Sequence, residues 1–337
     1  MDYHIIAEKA LQDIVLSTEE METVLDTPPD ALLQLLQSAF EVRKRYFGMK
    51  VHLHVLQNAK SGLCPEDCGY CSQSSVSNAS IEKYPMLPRQ RIVQAARDAY
   101  NADALRYYIV TSGRGPTQGE LEFLAGTVRE IKGEIDIEIC CCVGLLSQEQ
   151  AFFLKDAGVD RVNHNLNTSN THHGNIVSTH TFQDRVATIK AVQAAGISTC
   201  CGGILGMGER REDIIELALT IRELDIDSIP VNFLHPIEGT PLETQDELTP
   251  HDCLKTLCLF RFLNPRKEIR VAGGREHNLR PLQPLALYPA NSMFMDGYLT
   301  TEGQNASDAH RMIEDMGFEI ESTMTDKLIG ISLADTK

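Results

Sequence analysis

The chain is short of positive charge: 31 lysines and arginines stand against 47 aspartates and glutamates, a formal net charge of −16. Recognition of phosphates needs basic patches, so this balance argues against nucleic acid or an anionic membrane as a partner. Long apolar runs are missing too. None approaches the ~18–20 residues that cross a bilayer. The opening Met1-Asp2-Tyr3-His4-Ile5 lacks a basic stretch followed by an apolar one, so no secretory signal is expected, and cytoplasm is the expected compartment. Interior linkers and low-complexity segments are also absent. What remains is 337 residues, 42% apolar and 23% charged, enough for one large α/β barrel or two ordinary domains around a sizeable core. Ten cysteines without an export signal point to metal or redox chemistry rather than disulfides.

Three of those cysteines lie in one short run, Gly62-Leu-Cys64-Pro-Glu-Asp-Cys68-Gly-Tyr70-Cys71-Ser72. The spacing is C-x3-C-x2-C with an aromatic residue before the last sulfur. Three thiolates on a tight loop hold three corners of a [4Fe-4S] cluster and leave the fourth iron open to a substrate. A structural zinc site wants four ligands, and no fourth cysteine or histidine follows at the usual spacing. The pattern resembles the fingerprint of the radical S-adenosylmethionine (SAM) superfamily. That resemblance implies an open iron chelating the amino acid end of SAM, with Tyr70 helping to seat the adenine.

Residues 1–50 read as a helical extension. Ile5, Ala7, Leu11 and Ile14 recur at helical spacing, Ser17-Thr-Glu-Glu20 has the form of a capping box, and a second helix is expected from Ala31 to Tyr46. From residue 51 short β-rich runs alternate with amphipathic helical stretches. Strands are expected at Val51–Leu56, Leu105–Thr111, Ile135–Val143, Arg161–Asn165, Ser198–Leu205, Pro230–Leu234, Glu268–Ala272 and Ser292–Tyr298. Eight strands with intervening helices predict a (β/α)8 TIM-type barrel over residues 51–300, with residues 301–337 a C-terminal appendage packing on it. A doubly wound open sheet is the alternative.

Catalytic residues of such barrels sit at the C-terminal ends of strands. The cysteine loop follows the first strand, as this rule requires. After the fifth comes Gly202-Gly-Ile204-Leu-Gly206-Met-Gly-Glu209, a G-x-I-x-G-x-x-E pattern resembling the radical-SAM turn that meets adenine. Asn163, Asn165 and Asn167 alternate at the end of the fourth strand. Buried together they need polar partners, because each unsatisfied group costs about 1–3 kcal/mol. A ribose or a cyclic urea would supply them; a network of Asx turns is the plainer reading. Cys140-Cys-Cys142, Cys200-Cys201 and Arg270 fall on three further strands, singly core-like and jointly consistent with a second metal site.

Longer runs are more specific. Asn58-Ala-Lys-Ser-Gly-Leu-Cys-Pro-Glu-Asp-Cys-Gly-Tyr-Cys-Ser-Gln-Ser-Ser75, Asn163-His-Asn-Leu-Asn-Thr-Ser, Asp227-Ser-Ile-Pro-Val-Asn232-Phe-Leu, Gly239-Thr-Pro-Leu, Ile269-Arg-Val-Ala-Gly-Gly-Arg-Glu276 and Ala290-Asn-Ser resemble the biotin synthase family over about residues 5–320. The resemblance implies a homodimeric barrel that inserts sulfur into dethiobiotin, using SAM, a [4Fe-4S] cluster, an auxiliary [2Fe-2S] cluster as sulfur donor, and a flavodoxin- or ferredoxin-type electron donor. It implies Cys64, Cys68 and Cys71 for the first cluster, and Cys140, Cys200 and Arg270 for the second. It further implies Tyr70, Asn165, Asn167, Gly202, Ile204, Gly206 and Glu209 for SAM, and Asn165 with Asn232 for dethiobiotin.

One position departs from the pattern. The resemblance places a fourth auxiliary ligand, a cysteine, where Tyr108 stands. Phenolate is a hard oxygen donor with a free pKa near 10, unlike a thiolate. Three readings stay open: Tyr108 or a water takes the place, Cys142 substitutes from the same face as Cys140, or the auxiliary cluster is absent. The last leaves a related radical-SAM enzyme, hydrogenase-maturase-like or mutase-like, that cleaves SAM without inserting sulfur. Cys141 and Cys201 alternate to the other face. His52 and His54 read as polar residues of the barrel, His172-His173 as a solvated loop pair, and Cys253 and Cys258 as core.

Overall fold

The computed structural model of the chain describes residues 2–321. Three helices come first, α1 (Tyr3–Leu11), α2 (Thr18–Leu25) and α3 (Leu32–Phe47). Ser17 caps α2 as the sequence predicts: its Oγ accepts from Glu20 N at 3.3 Å, and Glu20 Oε2 accepts from Ser17 N at 2.9 Å. The alternation then begins with β1 (Lys50–Lys60), α4 (Arg89–Asn101), β2 (Arg106–Thr111), α5 (Gln118–Glu134), β3 (Glu138–Cys142), α6 (Gln148–Asp156) and β4 (Arg161–Asn163). It continues with α7 (Asn170–His173), α8 (Phe182–Ala194), β5 (Ser198–Cys200), β6 (Gly203–Leu205), α9 (Arg211–Glu223), β7 (Ser228–Phe233), α10 (Pro250–Leu263), β8 (Glu268–Val271), α11 (Arg275–Leu279) and β9 (Ser292–Phe294). Last come α12 (Ala306–Asp315) and β10 (Glu319–Glu321).

Neighbouring strands pair in parallel in sequence order, and β9 pairs back onto β1, so the expected barrel closes. Its fifth stave is broken into β5 and β6 at Cys201–Gly202, and both pieces pair with β7. The break has a local cause. A Cβ on Gly202 would lie 1.8 Å from Pro230 O, so only glycine lets the two staves approach. Gly202→Ala therefore forces the backbone of β7 outward, an overpacking cost of about 1–3 kcal/mol that a denaturant titration reads directly.

Alternation along the strands sorts side chains into two cores. Outward-facing Tyr107, Ile109, Ile139, Cys141, Val162, Cys201, Ile229 and Ile269 pack against the helices. Inward-facing Tyr108, Val110, Cys140, Cys200, Ala272 and Phe294 form a small cluster inside the barrel. The cysteine pairs thus split between faces as their alternation predicts.

The segment after the eighth stave rejoins the sheet: β10 runs parallel to β1, with Lys50 opposite Glu319 and His52 opposite Glu321. Residues 322–337 of the expected C-terminal appendage lie outside the described residues. The junction is electrostatic, with His52 Nε2 2.5 Å from Glu321 Oε2 and its Nδ1 3.2 Å from Glu268 Oε2. Burial opposes a charge on His52, but the two carboxylates overcome it and raise its pKa to about 9. Glu321 is drawn down to about 2, chiefly by its hydrogen bond with His52. A raised histidine contributes fully below its free value of about 6.5 and loses that contribution as pH rises through 9; the lowered carboxylate loses its own as pH falls through 2. Amide protection across Glu319–Glu321, corrected for intrinsic exchange, is expected to drop above pH 9. Protection indifferent to pH up to about 10 would contradict the assignment.

Candidate active site

A cavity of about 390 Å³ opens at the C-terminal ends of the staves. Cys64, Cys68 and Cys71 all line it, because β1 delivers the chain into the cysteine loop at the rim. Carboxylates inside the loop anchor it. Asp67 accepts from Ser178 N at 3.0 Å and Thr179 N at 3.1 Å. Glu66 accepts from Thr179 Oγ1 at 2.7 Å and Arg114 Nη1 at 3.1 Å, and also contacts His180 Nδ1. Gly69 N adds a bond to Ile176 O at 2.9 Å. The loop is thereby tied to residues 176–180, between α7 and α8. Burial pushes the Cys71 thiol up to about 12 and raises Cys68 as well. Both are neutral thiols until a metal takes their protons, and loading therefore releases acid. No three His, Cys, Asp or Glu side chains among the described residues already stand in metal-coordinating geometry. What the loop offers a cluster is three anchored sulfur donors on one wall, a set suited to iron–sulfur chemistry.

Next to the loop, Tyr70 OH accepts from Asn167 Nδ2 at 2.6 Å. Asn167 stands in the left-handed region, φ 70°, which asparagine tolerates better than most residues. The fourth strand ends at Asn163, two residues short of the expected Asn165, so the three amides do not share one strand face. They still line the cavity together. Asn165 Oδ1 accepts from Asn163 Nδ2 at 3.1 Å and Gly202 N at 3.0 Å. Ile204 is also on the wall. Gly202, Gly206 and Glu209 sit behind it and shape the turn: Glu209 accepts from Gly206 N and Met207 N, both at 2.7 Å. Asn232 lines the cavity and ties two staves, donating to Gly203 O and accepting from Gly273 N, both at 3.0 Å.

Beneath this wall lies the inner cysteine group. Cys140 and Cys200 are fully buried together in the inner cluster. Asn163 Nδ2 is 3.2 Å, Arg270 Nη1 3.6 Å and Tyr108 OH 3.8 Å from Cys200 Sγ. Burial disfavours charge on Cys200, yet Cys140, Arg270, Arg161 and Asn163 outweigh it and hold this thiol well below its ordinary range. Arg270 itself is fixed by Ser228 Oγ at 2.9 Å and by Glu268, and its Nε has no hydrogen-bond partner among the described residues. Tyr108, Cys142, Asn163 and Arg270 connect this group to the cavity. Two buried thiols, a third at the wall and a buried guanidinium with an unpaired nitrogen suit an auxiliary cluster, with the phenol as the one foreign donor.

Sequence reasoning missed the anchor formed by Glu66, Asp67, Arg114, Thr179 and His180. The acidic pair between Cys64 and Cys68 was its only local signal. It also misread His172 and His173, which are buried on α7, where His172 Nε2 approaches Met207 O at 3.3 Å and His173 Nε2 approaches His180 O at 3.1 Å.

Residues 60–221 match the Radical SAM superfamily, and residues 230–319 match the Biotin and Thiamin Synthesis associated domain. The biotin synthase of Geobacillus thermodenitrificans is 54% identical, over 94% of this chain and 95% of that one. The biotin synthase of Bacillus subtilis is 51% identical over the same shares. Among solved structures, methylornithine synthase (PylB) superposes with a TM-score of 0.84 at 19% identity, over 96% of this chain and 99% of that one. The hydrogenase maturase HydG from Carboxydothermus hydrogenoformans gives 0.80 at 17%, over 95% and 79%. At such identities these two share the fold alone. Near full-length identity above one half, on a barrel carrying the three-cysteine loop, settles the matter: the chain belongs to the biotin synthase family of radical-SAM sulfurtransferases, which work with SAM, a [4Fe-4S] cluster and a [2Fe-2S] cluster.

Proposed function

We propose that the chain converts dethiobiotin to biotin, closing the thiophane ring by inserting sulfur at unactivated carbons. The observation that carries this reading is a single cavity with the cysteine loop on its rim and the Cys140, Cys200 and Arg270 group beneath its wall. When bound, the [4Fe-4S] cluster supplies the electron that cleaves SAM to a carbon radical, and the auxiliary cluster supplies the sulfur. The protein's part is placement. Cys64, Cys68 and Cys71 hold the first cluster, with Tyr70, Asn165, Asn167 and Ile204 around SAM and the Gly202–Glu209 turn shaping that wall. Asn165 and Asn232 face the ureido ring, and Cys140, Cys200 and Arg270 hold the second cluster. The buried wall excludes water from a reactive radical.

A low-potential flavodoxin- or ferredoxin-type protein fits as the electron source, a homodimer as the assembly and cytoplasm as the compartment. Among the described residues no helix is long and apolar enough to cross a membrane. The organisation that fits is a helical extension over 1–50, a barrel over 51–300 and an appendage over 301–337.

Protein reconstituted anaerobically with iron and sulfide, then given SAM, dithionite and dethiobiotin, is expected to form biotin by mass spectrometry. Deoxyadenosine without any sulfur-bearing product would overturn the assignment. Tyr70→Phe tests the SAM wall separately. Losing the 2.6 Å bond to Asn167 costs about 1 kcal/mol, so the KM for SAM is expected to rise roughly fivefold with kcat little changed.

A further inference from the structure

The inner group of this chain contains one thiol more than Cys140 and Cys200. Cys142 follows Cys140 on the same interior side of β3, one pleat, about 6.6 Å, nearer the cavity. It packs on the Tyr108, Cys140, Cys200 cluster, lines the cavity beside Arg270 and Asn163, and makes no hydrogen bond among the described residues. The strand register gives its position. Cys140 lies opposite Arg161 and Cys141 opposite Val162, so the next row sets Cys142 beside Asn163, which in turn lies opposite Cys200. Cys142, Asn163 and Cys200 therefore stand in one row across three strands.

Tyr108 is differently placed. Its ring is wedged by Phe294 at 5.1 Å and His54 at 5.8 Å, with the Arg270 guanidinium 5.1 Å from its centroid. Packing on three sides fixes the hydroxyl near Cys200 Sγ at hydrogen-bonding range for sulfur. Iron in a sulfide cluster prefers a soft thiolate to a hard phenolate, and a phenol beside a ligating sulfur is well placed to donate to it.

We infer that Cys142 joins Cys140, Cys200 and Arg270 in holding the auxiliary cluster, while Tyr108 remains a phenol that hydrogen-bonds the Cys200 sulfur. This rests on the sulfur-insertion reading above, and it makes Tyr108 a positioning residue rather than a ligand. A hydrogen bond to a cluster sulfur raises its reduction potential.

The test uses the full chain in a C64A/C68A/C71A background, so that all tightly bound iron reports the auxiliary site. Iron and sulfide content, visible absorption, resonance Raman and redox titration are the readouts. The parent is expected to hold one [2Fe-2S] cluster without tyrosinate ring modes. Adding Cys142→Ala removes iron and sulfide together, adding Cys141→Ala does not, and C142A/Y108C restores both. That rescue separates a lost ligand from a misfolded chain. Tyr108→Phe keeps the cluster at a more negative potential. A C142A protein with its full iron and sulfide, or a parent whose spectrum carries tyrosinate modes lost in Y108F, overturns the inference and leaves the sulfur-insertion reading standing. A parent that binds no iron or sulfide overturns that reading as well.

Discussion

Replacing any one of Cys64, Cys68 and Cys71 by alanine is expected to abolish deoxyadenosine formation from SAM while leaving the fold intact. The three thiols line one cavity wall, and the loop that carries them is anchored through Glu66, Asp67 and Gly69 rather than through the sulfurs. Removing a thiol thus deletes a cluster donor without cutting the anchor. Two remaining thiols could not hold three corners of a [4Fe-4S] cluster, which would supply the open iron that binds SAM. Iron content, the brown absorption of the reconstituted protein and deoxyadenosine yield should fall together. Circular dichroism and the denaturation midpoint of the iron-free protein should stay at the parent's values. Deoxyadenosine formation persisting in a cysteine variant at more than trace level would contradict the loop's role in holding the cluster.

Glu268→Ala is expected to produce the largest loss of stability, about 3–5 kcal/mol, the range found when one partner of a buried ion pair is removed. Glu268 is buried at the start of β8 and accepts from Arg106 Nη1 at 3.2 Å and Ser228 Oγ at 2.6 Å, besides its contact with Arg270. His52 lies 3.2 Å away on its other oxygen. Arg106 and Arg270 are 2% and 0% exposed, so neither guanidinium has water to turn to once the carboxylate is gone. Arg106 would keep Glu138 at 2.6 Å, but Arg270 would lose its carboxylate, and the repulsion between the two guanidiniums would be less compensated in a low-dielectric interior. The prediction extends to chemistry, since Arg270 would lose the anchor that aims it at Cys200. A chemical denaturation curve within about 1 kcal/mol of the parent would contradict this placement of Glu268.

Much of the barrel was legible because its period is local. Alternating apolar residues in runs such as Ile139, Cys141 and Val143, separated by helical stretches opened by capping residues, announce strands and helices without long-range information. Strand ends were less legible. The fourth strand stops at Asn163, opposite Cys200 at the end of β5, and the fifth splits at Gly202 because Pro230 O approaches too closely for a side chain. Neither contact is written in the local sequence.

The cysteine loop was legible because its three sulfurs are neighbours in the chain. The inner group was harder, since Cys140, Cys200, Arg270 and Tyr108 come from four strands and meet only after the barrel closes. Least legible was the anchor of the loop. Glu66 meets His180 and Arg114 across more than a hundred and nearly fifty residues of sequence, respectively, and no pattern in the chain pairs them. His172 and His173 were misread for a related reason. A short polar stretch looks solvated until the turn after β6 covers it.

On the proposed function, this chain moves sulfur from its own auxiliary site into dethiobiotin. The most direct measurement is a single-turnover reaction with protein reconstituted using heavy-isotope sulfide and freed of excess reagent, its biotin read by mass spectrometry. Biotin carrying the heavy isotope is expected. Deoxyadenosine accumulating beside unchanged dethiobiotin, or biotin bearing only natural-abundance sulfur, would contradict it.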